Sequence, residues 1–393
     1  MKRTWELDGL RGIAIILVIG CHYEVFARQL GGLPKFGWVG VDLFFVLSGF
    51  LITSVLLNLR GQETPFKKFY ARRFLRILPP YIAFMVLIYA VTAALNDHGL
   101  YRIRAIVGNA FFLQSFGALP GTLRQMASGG SWVLAHSSLP TAKPGMTGHV
   151  SEASDVLWSL SIEEYFYLLW APVVLWLNRR WVSITGLAIC LAAFAVRWLG
   201  FIGFESYFSI FHRLDAPVFG ALVALLIASD IQRRITRAVL VVAGIIGAAT
   251  LTAVLVPMGN VLNMEVRDDH IFAVFGIPAL SLIAAAVVGI SVTCSGAKAL
   301  FLLRSPALGF VGKISYTLYL LHSFVYLVLL HFFKPTWIVS LTALACSVGL
   351  SWISWTYLEQ PILDGRRSTR IEKRSPAAAG KATVPEPSFG QAG

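Results

Sequence analysis

Long apolar stretches dominate the chain, and short polar segments separate them. Ten stretches are long enough to cross a bilayer: 10–26, 38–57, 78–95, 160–177, 182–199, 214–228, 238–256, 271–293, 308–332 and 337–357. A weaker stretch, 106–116, is too short to cross and reads as a re-entrant or interfacial piece. The expected fold is an all-α polytopic integral membrane bundle of about ten transmembrane helices, occupying residues 1–365. Within it, 96–156 forms a long outside excursion rich in Gly, Ser and Pro; loops of that length are usually functional or disordered. Residues 366–393 are basic, then Ala/Pro/Gly-rich, and read as a disordered cytoplasmic tail.

Composition agrees with this pattern. Hydrophobic residues make up 56% of the 393 and charged residues 13%, with a mean hydropathy of +0.70. That charged share is about half of what a soluble domain carries. An ordinary soluble enzyme and a disordered chain are both excluded. The net charge of +13 does not point to nucleic acid, because the basic residues are shared out between apolar stretches instead of gathering on one wet face. The charge reads as topology. With ten spans and the N-terminus inside, roughly 22 of the Lys and Arg residues fall on the cytoplasmic side and about 10 outside. Both termini are therefore expected in the cytoplasm. The first apolar stretch lacks a small-residue cleavage site and carries a histidine, so it is expected to stay as a span. Cys21, Cys190, Cys294 and Cys346 share no short spacing, which argues against a disulfide framework or a metal site.

Ionisable side chains inside spans are costly, so each is a functional candidate. Arg11 and His22 are eleven residues apart on the first span, which puts them on one helix face about 16 Å apart along the axis. Arg11 falls at the cytoplasmic end and His22 in the outer half. Asp42 begins the second span at a depth similar to that of His22. Glu163 lies near the outer start of the fourth span, Arg213 and Asp215 at the outer start of the sixth, and His322 in the outer half of the ninth. On the inner side, Arg72, Arg73 and Arg76 precede the third span, and the spacing of Arg73 and Arg76 points them the same way. The picture is polarised. A basic patch suits phosphate groups, and a histidine beside a carboxylate suits general-base chemistry. Asp42 is the expected orienting partner of His22.

These residues fall in recognisable strings. Glu6-Leu-Asp8-Gly-Leu-Arg11-Gly, with ten residues between Arg11 and His22, resembles the start of the membrane acyltransferase-three family. Gly37-Trp-Val-Gly-Val-Asp42-Leu-Phe-Phe-Val-Leu-Ser48-Gly49 is similar to its second-span signature, and Arg73-Phe-Leu-Arg76 to its RxxR element. Trp158-Ser159-Leu-Ser161-Ile-Glu163-Glu164 resembles its fourth-span signature; weaker matches end in His322 and at Glu359-Gln-Pro361. The resemblance implies transfer of an acyl group, usually acetyl, from acyl-coenzyme A to a hydroxyl of a sugar or related acceptor, in a bacterial inner membrane. It makes His22 the central catalytic residue, Arg11 its motif partner, Arg73 and Arg76 the RxxR pair, and Asp42 and Glu163 the matching acidic positions. The expected partners are the bilayer, acetyl-coenzyme A and a glycan, with no metal and no nucleic acid. The competing class is a proton-coupled secondary transporter, with His22, Asp42, Glu163 and Asp215 as a relay.

Overall fold

A computed structural model of the protein describes residues 4–29, 35–95, 103–116, 150–199, 207–259 and 269–364. Most of the expected excursion, namely 96–102 and 117–149, and the expected tail lie outside the described residues. The elements are helical throughout: α1 Trp5–His22, α2 Glu24–Gln29, α3 Val39–Leu59, α4 Pro65–Ala94, α5 Ile103–Ala110, α6 Leu157–Trp176 and α7 Arg179–Trp198. There follow α8 Ile210–Arg213, α9 Asp215–Ile227, α10 Arg233–Met258, α11 Ile277–Thr293, α12 Pro306–Phe332 and α13 Trp337–Ser354. The cause is general: a backbone in hydrocarbon must satisfy its own hydrogen bonds, and a helix does so within one segment. The protein is an all-α polytopic membrane protein.

Eight helical segments among the described residues are long and apolar enough to cross a membrane, against ten expected. The two that fall short are α1 and α6, of 18 and 20 residues. Both are of spanning length. Their hydropathy is lowered by the residues that make them interesting: Glu6, Asp8 and Arg11 on α1, Glu163 and Glu164 on α6. Such helices are tolerated where their ionisable groups face the bundle interior. The short stretch near 106 does not span. It forms α5 and a turn at Gln114–Phe116, which dock on the bundle. The Tyr81 hydroxyl donates to the Asn109 carbonyl at 2.6 Å, and Ser115 Oγ lies 2.6 Å from Ser161 Oγ.

The bundle has an inner and an outer shell. The spans built on α3, α9, α11 and α12 are 67% buried, whereas those on α7, α10 and α13 are 22% buried and carry exposed residues such as Leu191, Ile245 and Ile338. α1 is packed between α3 and α12. Glycine permits that close approach. A Cβ at Gly40 would stand 2.3 Å from the Ala14 carbonyl oxygen, and one at Gly312 would stand 1.9 Å from that of Asp8. Both are impossible contacts, so α3 and α12 can lie on α1 only where these positions have no side chain. The same packing fixes the two ends of α1, and with them Arg11 and His22.

A candidate active site between α1, α3, α4, α6 and α12

A cavity of about 820 Å³, counting the open solvent at its mouth, lies among these five helices. Its ionisable lining comprises the guanidinium groups of Arg11, Arg73 and Arg76 and the carboxylate of Glu163. Three cations therefore face one anion. Tyr167, Tyr316, Tyr319, Ser48, Ser159 and Ser315 supply hydroxyls, and Phe44, Phe45, Leu47, Leu51 and Ile77 the apolar wall.

The arginine end is built by α4. Arg73 and Arg76 are one turn apart and both line the cavity, whereas Arg72, about 100° away on the helix, is exposed. Pro79 and Pro80 follow directly inside the helix. Neither has an N–H, so the carbonyls one turn earlier, Leu75 and Arg76, lose their helical partners. The Tyr316 hydroxyl from α12 donates to the neighbouring Ile77 carbonyl at 3.1 Å and ties this loosened turn to the bundle. The Arg73 guanidinium stands over the Tyr167 ring, 5.3 Å from its centroid. The Tyr167 hydroxyl donates to Glu163 Oε2 at 2.6 Å and is also hydrogen-bonded to Ser48. Glu163 and Tyr167 are four residues apart on α6, one helical turn, which is why they meet. Glu359, which ends a wide π turn after α13, is buried and accepts from Thr317 at 2.6 Å.

The histidine end lies at the other end of α1. Tyr319 lines the cavity; its hydroxyl is 2.6 Å from Ser159 Oγ and donates to the Val156 carbonyl at 3.1 Å. Its ring is 5.6 Å from that of His322, centroid to centroid, and His322 in turn is 5.0 Å from His22 with the rings at 79°. His22 is half-buried and His322 fully buried. His22 Nδ1 lies 2.8 Å from the Val18 carbonyl oxygen, and His322 Nδ1 lies 2.7 Å from that of Tyr319. A carbonyl can only accept, so both rings carry their proton on Nδ1. In the neutral form each therefore presents Nε2 as its basic atom.

The carboxylates do not gather at His22 as expected. Asp42 Oδ1 accepts from Arg213 Nη2 at 2.6 Å, and both side chains are buried. Arg213 also lies over the Tyr207 ring at 4.6 Å. Asp215 is taken by Arg197, Nη2 to Oδ2 at 2.5 Å, and Arg197 is equally buried. Thus Asp42 is braced across α3 and α8 by Arg213 and is not hydrogen-bonded to the imidazole it was expected to orient. Glu163 sits with the arginines at the cavity. The cause is charge balance: two buried arginines need two carboxylates, and they come from the nearest helices. Arg197, Tyr167, Tyr319 and Ser48 were not singled out from the sequence. Tyr167 and Tyr319 could have been, being one helical turn from Glu163 and His322.

A cationic cavity with buried ionisable groups beside it, inside a helical membrane bundle, defines a membrane-embedded reaction or transport centre. Residues 4–356 match the family model described as an acyltransferase domain, acyltransferase 3, and the chain belongs to that family. It is 26% identical over 379 residues to the O-acetyltransferase OatA of Staphylococcus aureus, covering 91% of this chain and 56% of that protein. It is 32% identical over 193 residues to the peptidoglycan O-acetyltransferase OatA of Listeria monocytogenes, covering 47% of this chain and 27% of that protein. The chain thus spans about half or less of the length of these curated relatives. No solved structure matches it.

Proposed function

We propose that the protein is an O-acyltransferase that moves an acyl group, acetyl in the first instance, from acyl-coenzyme A to a hydroxyl of a carbohydrate in or beyond a bacterial cytoplasmic membrane. One observation carries the reading: three arginines line a cavity whose wall includes Tyr319, and the Tyr319 ring contacts His322, which contacts His22. Guanidinium groups form paired, charge-assisted hydrogen bonds with phosphate oxygens. Arg11, Arg73 and Arg76 would hold the donor's phosphates at the cytoplasmic end. The span from Arg11 to His22 is about 16 Å along the helix, so a long flexible arm must carry the thioester to the imidazole. His22 Nε2 then either removes the acceptor's hydroxyl proton or takes the acyl group first. In both routes the C–S bond breaks, an ester C–O bond forms, and the hydroxyl proton ends on the departing sulfur.

Charge placement supports an orientation with both termini in the cytoplasm. The Listeria relative's name makes a peptidoglycan sugar one candidate acceptor. A proton-coupled transporter is the weaker reading, because Asp42 and Asp215, which a relay would use, are each held in a buried ion pair. The test compares the mass of envelope and secreted glycans from cells with and without the gene. Ester-linked acetyl groups lost with the gene and restored by the parent gene support the proposal. Unchanged glycans, with acyl-independent solute flux in liposomes, would replace it with transport.

A further inference from the structure

A thioester under attack develops negative charge on its acyl oxygen, and donors aimed at that oxygen are usually the largest single term in catalysis. The cavity's hydroxyls can be sorted by where their protons go. Six of its lining side chains carry one. The Tyr167 hydroxyl donates to Glu163 at 2.6 Å, so Ser48, bonded to the same hydroxyl, donates to it. Ser315 donates to the Gly312 carbonyl of its own helix at 3.0 Å, and Tyr316 to the Ile77 carbonyl at 3.1 Å. Each of these four protons has one acceptor. Ser159 and Tyr319 differ. Their oxygens are 2.6 Å apart, and both hydroxyls reach the Val156 carbonyl, at 3.2 and 3.1 Å. Two protons are thus shared among three oxygens. That carbonyl belongs to the residue just before α6, whose C=O accepts the first backbone bond of the helix. It is satisfied without either hydroxyl, so one of them can turn away and leave no bare acceptor. Ser159 lies one turn, about 6 Å, before Glu163 on α6, and Tyr319 lies one turn after Ser315 on α12, toward His322. The Tyr319 ring contacts that of His322. The pair thus occupies the cavity wall between the arginine end and the histidine end.

We propose that the Ser159 hydroxyl, backed by Tyr319, donates a hydrogen bond to the acyl oxygen of the bound thioester. The inference rests on the acyl-transfer reading. In the structure Tyr319 donates to the Val156 carbonyl, which directs the Ser159 proton to Tyr319. Facing a thioester, Ser159 turns its proton onto the acyl oxygen, and Tyr319 donates to Ser159 Oγ. A hydroxyl that accepts one hydrogen bond is a stronger donor of the next. The nucleophile, either the acceptor oxygen or His22 Nε2, bonds the acyl carbon, and the C=O π pair moves onto the acyl oxygen. That pair re-forms the C=O bond as the C–S bond breaks. Sulfur leaves with the C–S pair, and the proton lost by the acceptor hydroxyl ends on it. Ser159 and Tyr319 keep their protons throughout. The hydrogen bond is stronger to the oxyanion than to the neutral carbonyl, so it lowers the barrier more than it tightens binding.

The test uses the full chain in lipid nanodiscs, with thiol release from acetyl-coenzyme A read at steady state. Ser159→Ala should lower kcat by about 100-fold, the loss expected for one oxyanion donor, with KM for the donor changed less than about twofold. Tyr319→Phe keeps the ring and should lower kcat by about 2- to 10-fold, as for one neutral hydrogen bond. S-Ethyl-coenzyme A, a thioether without the acyl oxygen, should bind the parent and Ser159→Ala equally. Normal kcat in Ser159→Ala would overturn the proposal. So would a loss of thioether affinity that matches the loss in kcat, which would mark Ser159 as packing or as a contact to another part of the donor. The acyl carbonyl itself supplies a spectroscopic readout. In a His22→Ala background, which keeps the thioester intact, the carbon-13-edited C=O stretch of bound acetyl-coenzyme A should lie below that of the free thioester. Adding Ser159→Ala should return it to the free position. An unshifted band, or one that Ser159→Ala leaves in place, would overturn the proposal. Should Ser159→Ala fail to assemble, Tyr319→Phe takes its place. The band should then move part of the way back, and an unmoved band overturns the proposal. The underlying reading fails separately. Parent protein that leaves the thioester intact removes acyl transfer, whereas a competent parent beside a normal Ser159→Ala removes only this inference.

Discussion

Asp42→Asn separates a structural role from a chemical one. In the parent, Asp42 and Arg213 are 1% and 0% exposed and their charged atoms are 2.6 Å apart. Asparagine keeps the shape and removes the charge, leaving the Arg213 guanidinium buried. The next carboxylate, Asp215, is already engaged by Arg197. Breaking one side of a buried pair costs about 3–5 kcal/mol. The stacking of Arg213 over Tyr207, 4.6 Å away, offsets part of that, by about 2 kcal/mol at most. A net loss of about 1–5 kcal/mol is expected, measured by denaturant titration in micelles. The double variant Asp42→Asn/Arg213→Met should regain much of it, because no unpaired charge remains. Whatever fraction stays folded should turn over acetyl-coenzyme A at close to the parent rate. An Asp42→Asn protein as stable as the parent but inactive would refute this, and would return Asp42 to the chemistry.

Other consequences are as specific. Arg76→Ala should raise KM for acetyl-coenzyme A about tenfold or more, from one lost charge-assisted contact, while Arg72→Ala changes it less than about twofold; steady-state thiol release distinguishes them. Tyr167→Phe removes the donor to Glu163 and the link to Ser48 but leaves the ring under Arg73. It should cost about 1–3 kcal/mol of stability, read by thermal unfolding in detergent. Gly312→Leu should prevent α1 from seating on α12 and yield little folded protein, because even its Cβ meets the Asp8 carbonyl oxygen; monodispersity on gel filtration is the readout.

The helices and their order were legible because each span is a long apolar window, and a window needs no partner to be recognised. The two helices that fall below a spanning hydropathy, α1 and α6, were still legible from length. Arg73 and Arg76 were legible as a pair because three residues make nearly one turn. Arg11 and His22 were legible as occupants of one helix by the same arithmetic. The pairing of Asp42 was not. Its partner Arg213 is 171 residues away, and equal depth in the bilayer cannot say which neighbour lies beside it. Arg197 was not singled out and is a buried counter-ion to Asp215, a pairing that its position near the end of α7 does not reveal. Tyr167 and Tyr319 were not singled out, since depth alone suggests only an interfacial role for a tyrosine. Their helical spacing from Glu163 and His322 carried the better signal.

The central claim is that His22 sits at an acyl-transfer centre supplied through the arginine-lined cavity. Purified full chain in nanodiscs, given radiolabelled acetyl-coenzyme A and a glycan acceptor, tests it most directly. The parent should release coenzyme A thiol and place label on the glycan in ester linkage, and His22→Ala of equal monodispersity should do neither. Equal label transfer by both proteins, or thioester that stays intact with the parent, would contradict the account.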